Sequence, residues 1–257
     1  MSLEVSPKLA HDTKRTIDEA KALHMKGATP NLFIKVPGTP EGIPAIEELV
    51  AAGVSVNVTL LFSREQYQAA AEAYLRGLER RRESGLDLDV ASVASVFISR
   101  WDAAVTGKLP DDLSGQLGVA VAKRTYKAYR DLLASDRWQT LAAAGATPQR
   151  LLWASTGTKD PNLPDTFYIH ALAAEETINT MPEKTLLAFG EHGAIGDLLP
   201  ADGGDAEHVL ARMGSAGVDV EALAATLQTE GADAFVNSWD DLLARIASKS
   251  DQVRTAS

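Results

Sequence analysis

The sequence contains no cysteine, which excludes disulfides and thiolate metal sites alike. Its five histidines stand apart, with none of the paired or helical spacing that metal ligation uses, so neither a metal nor another cofactor is implied. Long apolar runs are missing too: no stretch approaches the length of a membrane span, and nothing at the amino terminus resembles a signal peptide. A membrane partner is therefore not expected, and a cytoplasmic location follows by default. Positive charge is in short supply. With 25 Lys and Arg against 35 Asp and Glu, the net charge of −10 favours solubility and argues against nucleic acid as a partner. No Pro/Ser/Gly-rich linker divides the chain, and no repeat at solenoid spacing is visible.

What is present is an ordinary globular mixture, 45% apolar and 23% charged, over 257 residues, a length that suits one domain of barrel size as well as two smaller ones. The stretch Asn31-Leu-Phe-Ile-Lys-Val-Pro-Gly-Thr-Pro-Glu-Gly42 reads as strand, turn and capped helix: Leu32 to Ile34 are strand formers, Gly38 turns the chain, and Thr39 and Pro40 suit a helix start. Lys35 then stands near the C-terminal end of a strand, where α/β barrels and open α/β sheets keep their chemistry. Burial at such a place favours a neutral amine, able to attack a carbonyl and form a Schiff base. The local alternative is a lysine that snorkels to the rim of the sheet.

The strand Ser55-Val-Asn-Val-Thr-Leu-Leu-Phe62 alternates. Ser55, Asn57 and Thr59 share one face, and Val56, Val58 and Leu60 the other. A helix follows at once, opened by the capping box Ser63-Arg-Glu-Gln66, so the strand is expected to be parallel and covered, its valines on helices and its polar row in a barrel interior or cleft. An edge strand with a wet face is the plainer reading.

Elsewhere Leu3-Glu4-Val5 ends a strand and places Glu4 near its C-terminal end, and Val90 to Ser99 form another strand that closes on Ser95-Val-Phe-Ile-Ser-Arg100. Arg100 suits either a phosphate or a helix start at the surface. A helix is expected over 117–134, a strand over 150–155, a hydroxyl-rich loop over 156–160 that includes Lys159, a sixth strand over Phe167 to Leu172, and a helix over 183–191. From 195 onward there are only helical segments, broken at Gly203-Gly204 and Gly217. Six strands, each followed by helix, indicate a parallel α/β architecture.

Five stretches in this order, around Lys35, Asn57, Ser95 to Arg100, Trp153 to Pro161 and Asn179 to Thr185, resemble the transaldolase family in its actinobacterial form over nearly the whole chain. The resemblance implies a (β/α)8 TIM barrel of the class I aldolase type in a single domain, 1–257, with 195–257 a helical region packed on it. Lys35 would be the Schiff-base lysine on the fourth strand, Glu4 the catalytic glutamate of the third, and Thr59 the fifth-strand threonine that helps hold a catalytic water. Asn57 would contact the bound intermediate, Ser95, Phe97 and Arg100 would line the substrate channel, and Ser155 would bind substrate phosphate with Lys159 in place of the family's arginine.

Strands three to eight would be present, strands one and two missing, and the seam between three and eight open. No residue matches the aspartate that the family carries on its first strand. The expected activity is transfer of a dihydroxyacetone unit from sedoheptulose 7-phosphate to glyceraldehyde 3-phosphate, without metal, by a monomer or homodimer. A Schiff-base sugar-phosphate aldolase and a catalytically silent or impaired barrel fragment are the other readings.

Overall fold

The computed structural model describes residues 1–27 and 29–255; Ala28, inside the loop expected over 26–30, and Ala256 and Ser257, at the end of the expected helical tail, lie outside the described residues. Strands β1 (Ser2–Glu4), β2 (Phe33–Pro37), β3 (Val56–Leu61), β4 (Ser92–Phe97), β5 (Gln149–Ala154) and β6 (Ile178–Asn179) form one parallel sheet in chain order. Among the described residues β1 and β6 do not pair with each other, so both are edges. The helices between them are α1 (Thr13–Gly27), α2 (Gly42–Ala51), α3 (Arg64–Glu83), α4 (Ser99–Val105), α5 (Leu117–Ala134), α6 (Asp136–Ala143) and α7 (Phe167–Ala171). Three more follow the sheet: α8 (Glu183–His192), α9 (Ala206–Ser215) and α10 (Val220–Thr255). No described helix is long and apolar enough to cross a membrane.

Strand alternation divides the apolar residues into two clusters. Ile34, Val36, Val56, Val58, Ala94, Val96, Leu151 and Trp153 point outward to a layer that contains Ile46 and Leu49 of α2, Tyr67 and Tyr74 of α3, and Tyr126 and Tyr129 of α5. Val93, Phe97, Leu152 and Ala154 point the other way, into a second cluster that also contains Leu117 and Val121 of α5, Leu210 and Met213 of α9, and Leu227 and Ala232 of α10. Both faces are thus buried, which is why these strands carry so little charge. Gly77 lets α3 close on α2, since a Cβ there would stand 2.6 Å from that of Val50.

The capping box forms as the sequence predicts: Ser63 Oγ accepts from Gln66 N at 3.2 Å, while Gln66 Oε1 accepts from Ser63 N at 3.3 Å and from Phe62 N at 2.7 Å. Thr39 Oγ1 also accepts, from Gly42 N at 3.2 Å, and donates to Ala10 O at 2.5 Å, tying the start of α2 to the segment after β1.

Two expectations are corrected. Phe167 to Leu172 is the helix α7 and a following residue, not a strand. Its buried residues Tyr168, Ile169 and Leu172 fall at helical spacing, and the slot beside β5 is taken by β6, with Leu152 opposite Ile178 and Trp153 opposite Asn179. Leu60, expected on the helix-packed face, turns inward. It adopts a left-handed conformation, φ 61°, at a break in register between Val58 and Leu61, and Leu61 takes its place in the outer layer. One extra residue in a strand inverts every later side chain, which is how a β-bulge re-aims a strand end.

Candidate active site

Sheet register places Glu4, Lys35 and Asn57 side by side on three successive strands. Lys35 Nζ lies 3.4 Å from Glu4 Oε2, with 22% of the lysine side chain and 32% of the glutamate side chain exposed, so the pair is half-sheltered yet reachable. Burial pushes the Glu4 carboxyl above its ordinary range, and the Lys35 charge and hydrogen bond oppose that rise without cancelling it. The Phe235 ring of α10 lies against the amine, its centroid 4.7 Å from Nζ.

Asn57 is held from both sides. Its Nδ2 donates to Ser2 Oγ at 3.1 Å, and its Oδ1 accepts from Ser95 Oγ at 2.7 Å, which runs the polar row across β1, β3 and β4. Thr59 follows two residues on, opposite Pro37, and its Oγ1 is buried with no hydrogen-bond partner among the described residues. A buried hydroxyl without a partner costs free energy unless a bound molecule satisfies it.

The site extends through aromatic contacts. Phe235 meets Phe97 edge-on at 6.4 Å between centroids, and the Arg100 guanidinium lies 5.2 Å from the Phe97 ring. Burial lowers the pKa of Arg100, partly offset by the charge of Glu230; burial and the nearby Arg100 charge together lower that of Lys159. A lysine whose charge is disfavoured by burial and by a neighbouring guanidinium is complementary to an anion beside it. Ser155, just past β5, has φ 54°, and its Oγ is 2.9 Å from Ser99 Oγ. Beyond Ser99 a cavity of about 480 Å³ is lined by Asp102, Thr106, Lys159, Asp160 and Tyr168. Asp102 anchors its wall, accepting from Tyr168 Oη at 2.6 Å and from the first amides of α5, Leu117 N at 3.0 Å and Gly118 N at 3.3 Å.

The nine residues singled out from the sequence lie on β1 to β5 or in the segments that follow those strands: Glu4, Lys35, Asn57, Thr59, Ser95 and Phe97 on the strands themselves, Arg100 in α4, and Ser155 and Lys159 beyond β5. The sequence reading passed over the residues that α10 brings from far along the chain: Gln228, Gly231 and Phe235. Their signal was a glycine inside a helical pattern, with a glutamine three residues before and an aromatic four after, all on one helix face.

Over residues 1–246 the chain matches the family described as transaldolase/fructose-6-phosphate aldolase. It is 48% identical over 252 residues to a transaldolase of Parafrankia sp. (strain EAN1pec), an alignment that covers 95% of this chain and 68% of that protein. It is also 48% identical over 256 residues to a transaldolase of Thermobifida fusca, covering 96% and 70%. A transaldolase of Mycobacterium bovis is 45% identical over 253 residues, covering 95% and 68%.

Proposed function

The chain belongs to the transaldolase/fructose-6-phosphate aldolase family, and on that premise we propose that it is a transaldolase of the pentose phosphate pathway whose covalent intermediate forms on Lys35. The observation that carries this assignment is the row Glu4, Lys35, Asn57: an amine, a carboxyl whose pKa is raised by burial, and an amide fixed by two hydrogen bonds, on adjacent strands.

Lys35 Nζ attacks C2 of sedoheptulose 7-phosphate, and loss of water gives an imine. The bond between C3 and C4 then breaks, its electron pair passing to the imine nitrogen as the C4 hydroxyl gives up its proton and erythrose 4-phosphate leaves. The enamine of dihydroxyacetone adds to the aldehyde carbon of glyceraldehyde 3-phosphate, the new alkoxide takes a proton, and water releases fructose 6-phosphate. Glu4 is suited to moving protons in the imine-forming and hydrolytic steps, because its raised pKa brings its protonated form closer to working pH. Thr59 Oγ1 has both its donor and its acceptor capacity free for the water of those steps. Asn57 hydrogen-bonds the intermediate, Ser95 and Phe97 shape the channel, and Arg100, Ser155 and Lys159 receive the phosphate.

In fold we assign β1 to β6 as the third to eighth strands of a (β/α)8 barrel in one domain, with 195–257 as its helical C-terminal region. The unpaired edges β1 and β6 and the 68–70% coverage of relatives support that assignment. The family description equally admits an aldolase that releases dihydroxyacetone to water.

Rates with fructose 6-phosphate, with and without an aldehyde acceptor, separate these readings. A transaldolase consumes donor quickly only when an acceptor such as erythrose 4-phosphate is present. Equal rates without it identify an aldolase, and trapping at Lys35 without turnover identifies the impaired barrel.

A further inference from the structure

We propose that Gln228 is a positioning residue that holds the left-handed bulge at Leu60 and so fixes Thr59 relative to Lys35. The proposal rests on the Schiff-base reading of Lys35. Its own support lies in the backbone groups that the bulge releases. Between Val58, paired with Ala94, and Leu61, paired with Val96, the register shifts, and the Leu60 carbonyl falls within that break. Gln228 gives it a donor: its Nε2 donates to Leu60 O at 2.9 Å and to Gly38 O at 3.1 Å. An amide nitrogen carries two hydrogens, and both are used.

Gly38 closes the circuit, because its own N–H donates to Thr59 O at 2.7 Å. The turn leaving β2 three residues after Lys35, the bulge in β3 and the helix α10 are therefore joined through one side chain. Beside it Gly231 lets the helix sit on the bulge: a Cβ there would stand 3.0 Å from Leu60 Cδ2 and 3.4 Å from both Arg100 Nη1 and Phe62 Cζ. One turn further on, Phe235 lies against the amine.

Without the two bonds, two carbonyls at the mouth of the site lose their donor, and the Leu60 peptide is free to rotate out of an unfavourable conformation. Thr59, one residue before, then loses its aim. Imine formation on Lys35 tolerates this better than the water-dependent steps in which Thr59 takes part.

The test uses Gln228→Leu, Gln228→Glu and Gln228→Lys in the full chain. Leucine removes the donors; glutamate keeps the shape but offers only acceptors to two carbonyls; lysine keeps donors with a different shape. For transfer between fructose 6-phosphate and erythrose 4-phosphate, kcat should fall roughly ten- to a hundredfold in the Leu and Glu variants, with KM changed by less than about twofold. The Lys variant should stay within about threefold of the parent. Deuterium uptake in peptides spanning 36–41 and 58–62 should rise in the first two variants and not in the third.

A packing role predicts the reverse order, with isosteric glutamate the mildest change. That order, or uptake unchanged in Gln228→Leu, overturns the proposal. If the parent chain gives no borohydride adduct at Lys35, the Schiff-base reading fails instead, and uptake alone still judges the bridge.

Discussion

Along β3, Val56, Val58 and Leu61 face outward into packed helices, while Asn57, Thr59 and Leu60 face the interior, with α10 packed at Leu60. The outward set is apolar and needs nothing from a ligand. The inward set contains an asparagine fixed by its neighbours, a threonine hydroxyl with no partner among the described residues, and a leucine in a left-handed conformation. Burial is nearly complete on both sides, so exposure does not distinguish them. The difference lies in satisfaction: the outer face is optimised for packing, whereas the inner face holds polarity and strain that stability alone would remove.

Substitutions should therefore separate activity from stability according to face. The largest effect is expected for Lys35→Ala, which removes the nucleophile: turnover should drop to background, while unfolding free energy changes by less than about 1 kcal/mol because the side chain is partly exposed and its one carboxylate partner is loosely held. Denaturant melts beside rate measurements check both halves.

Glu4→Gln comes next. Turnover should fall by about 10²–10⁴-fold, the usual contribution of a positioned acid or base. Stability should move the other way. A carboxyl whose folded pKa is raised by burial binds its proton more tightly in the native state, so its contribution is fully present below the unfolded value and lost as pH rises through the folded value. The variant should match the parent in acid below about pH 4 and be as stable or slightly more stable near pH 7. A variant less stable at neutral pH than in acid, relative to the parent, would show that the Lys35 contact outweighs the burial.

Thr59→Val replaces an unpartnered hydroxyl with a methyl group. Stability should be unchanged or higher by about 1 kcal/mol, while turnover falls about tenfold or more. Val58→Ala, one residue away on the outer face, should do the opposite: a loss of about 2 kcal/mol from the cavity left among the helices, with kcat of the folded protein nearly unchanged. If both substitutions changed the same property, the contrast between the faces would be wrong.

The same contrast explains what the sequence could say. Val56, Asn57, Val58 and Thr59 alternate in plain view because period 2 is a property of the strand itself. The inversion at Leu60 leaves no local mark: left-handed turns are normally signalled by glycine or asparagine, and here a leucine is held there by Gln228, which lies far away in sequence. Phe167 to Leu172 misled for a related reason, since a short apolar run bounded by turns fits a buried strand as well as one helical turn. The true edge strand, Ile178–Asn179, is too short to carry any periodicity. Of the site, the row Glu4, Lys35, Asn57 was legible because each is a polar residue within a short apolar strand, whereas Gln228, Gly231 and Phe235 acquire meaning only when α10 crosses the mouth.

The account turns on the inward face being chemically active at one amine, and the most direct test is covalent. The chain is incubated with fructose 6-phosphate, reduced with borohydride and digested, and the peptides are mapped by mass. A dihydroxyacetone-sized adduct on the peptide containing Lys35, absent from Lys35→Ala, is the predicted result. An adduct on any other lysine, or one that persists in Lys35→Ala, would contradict it.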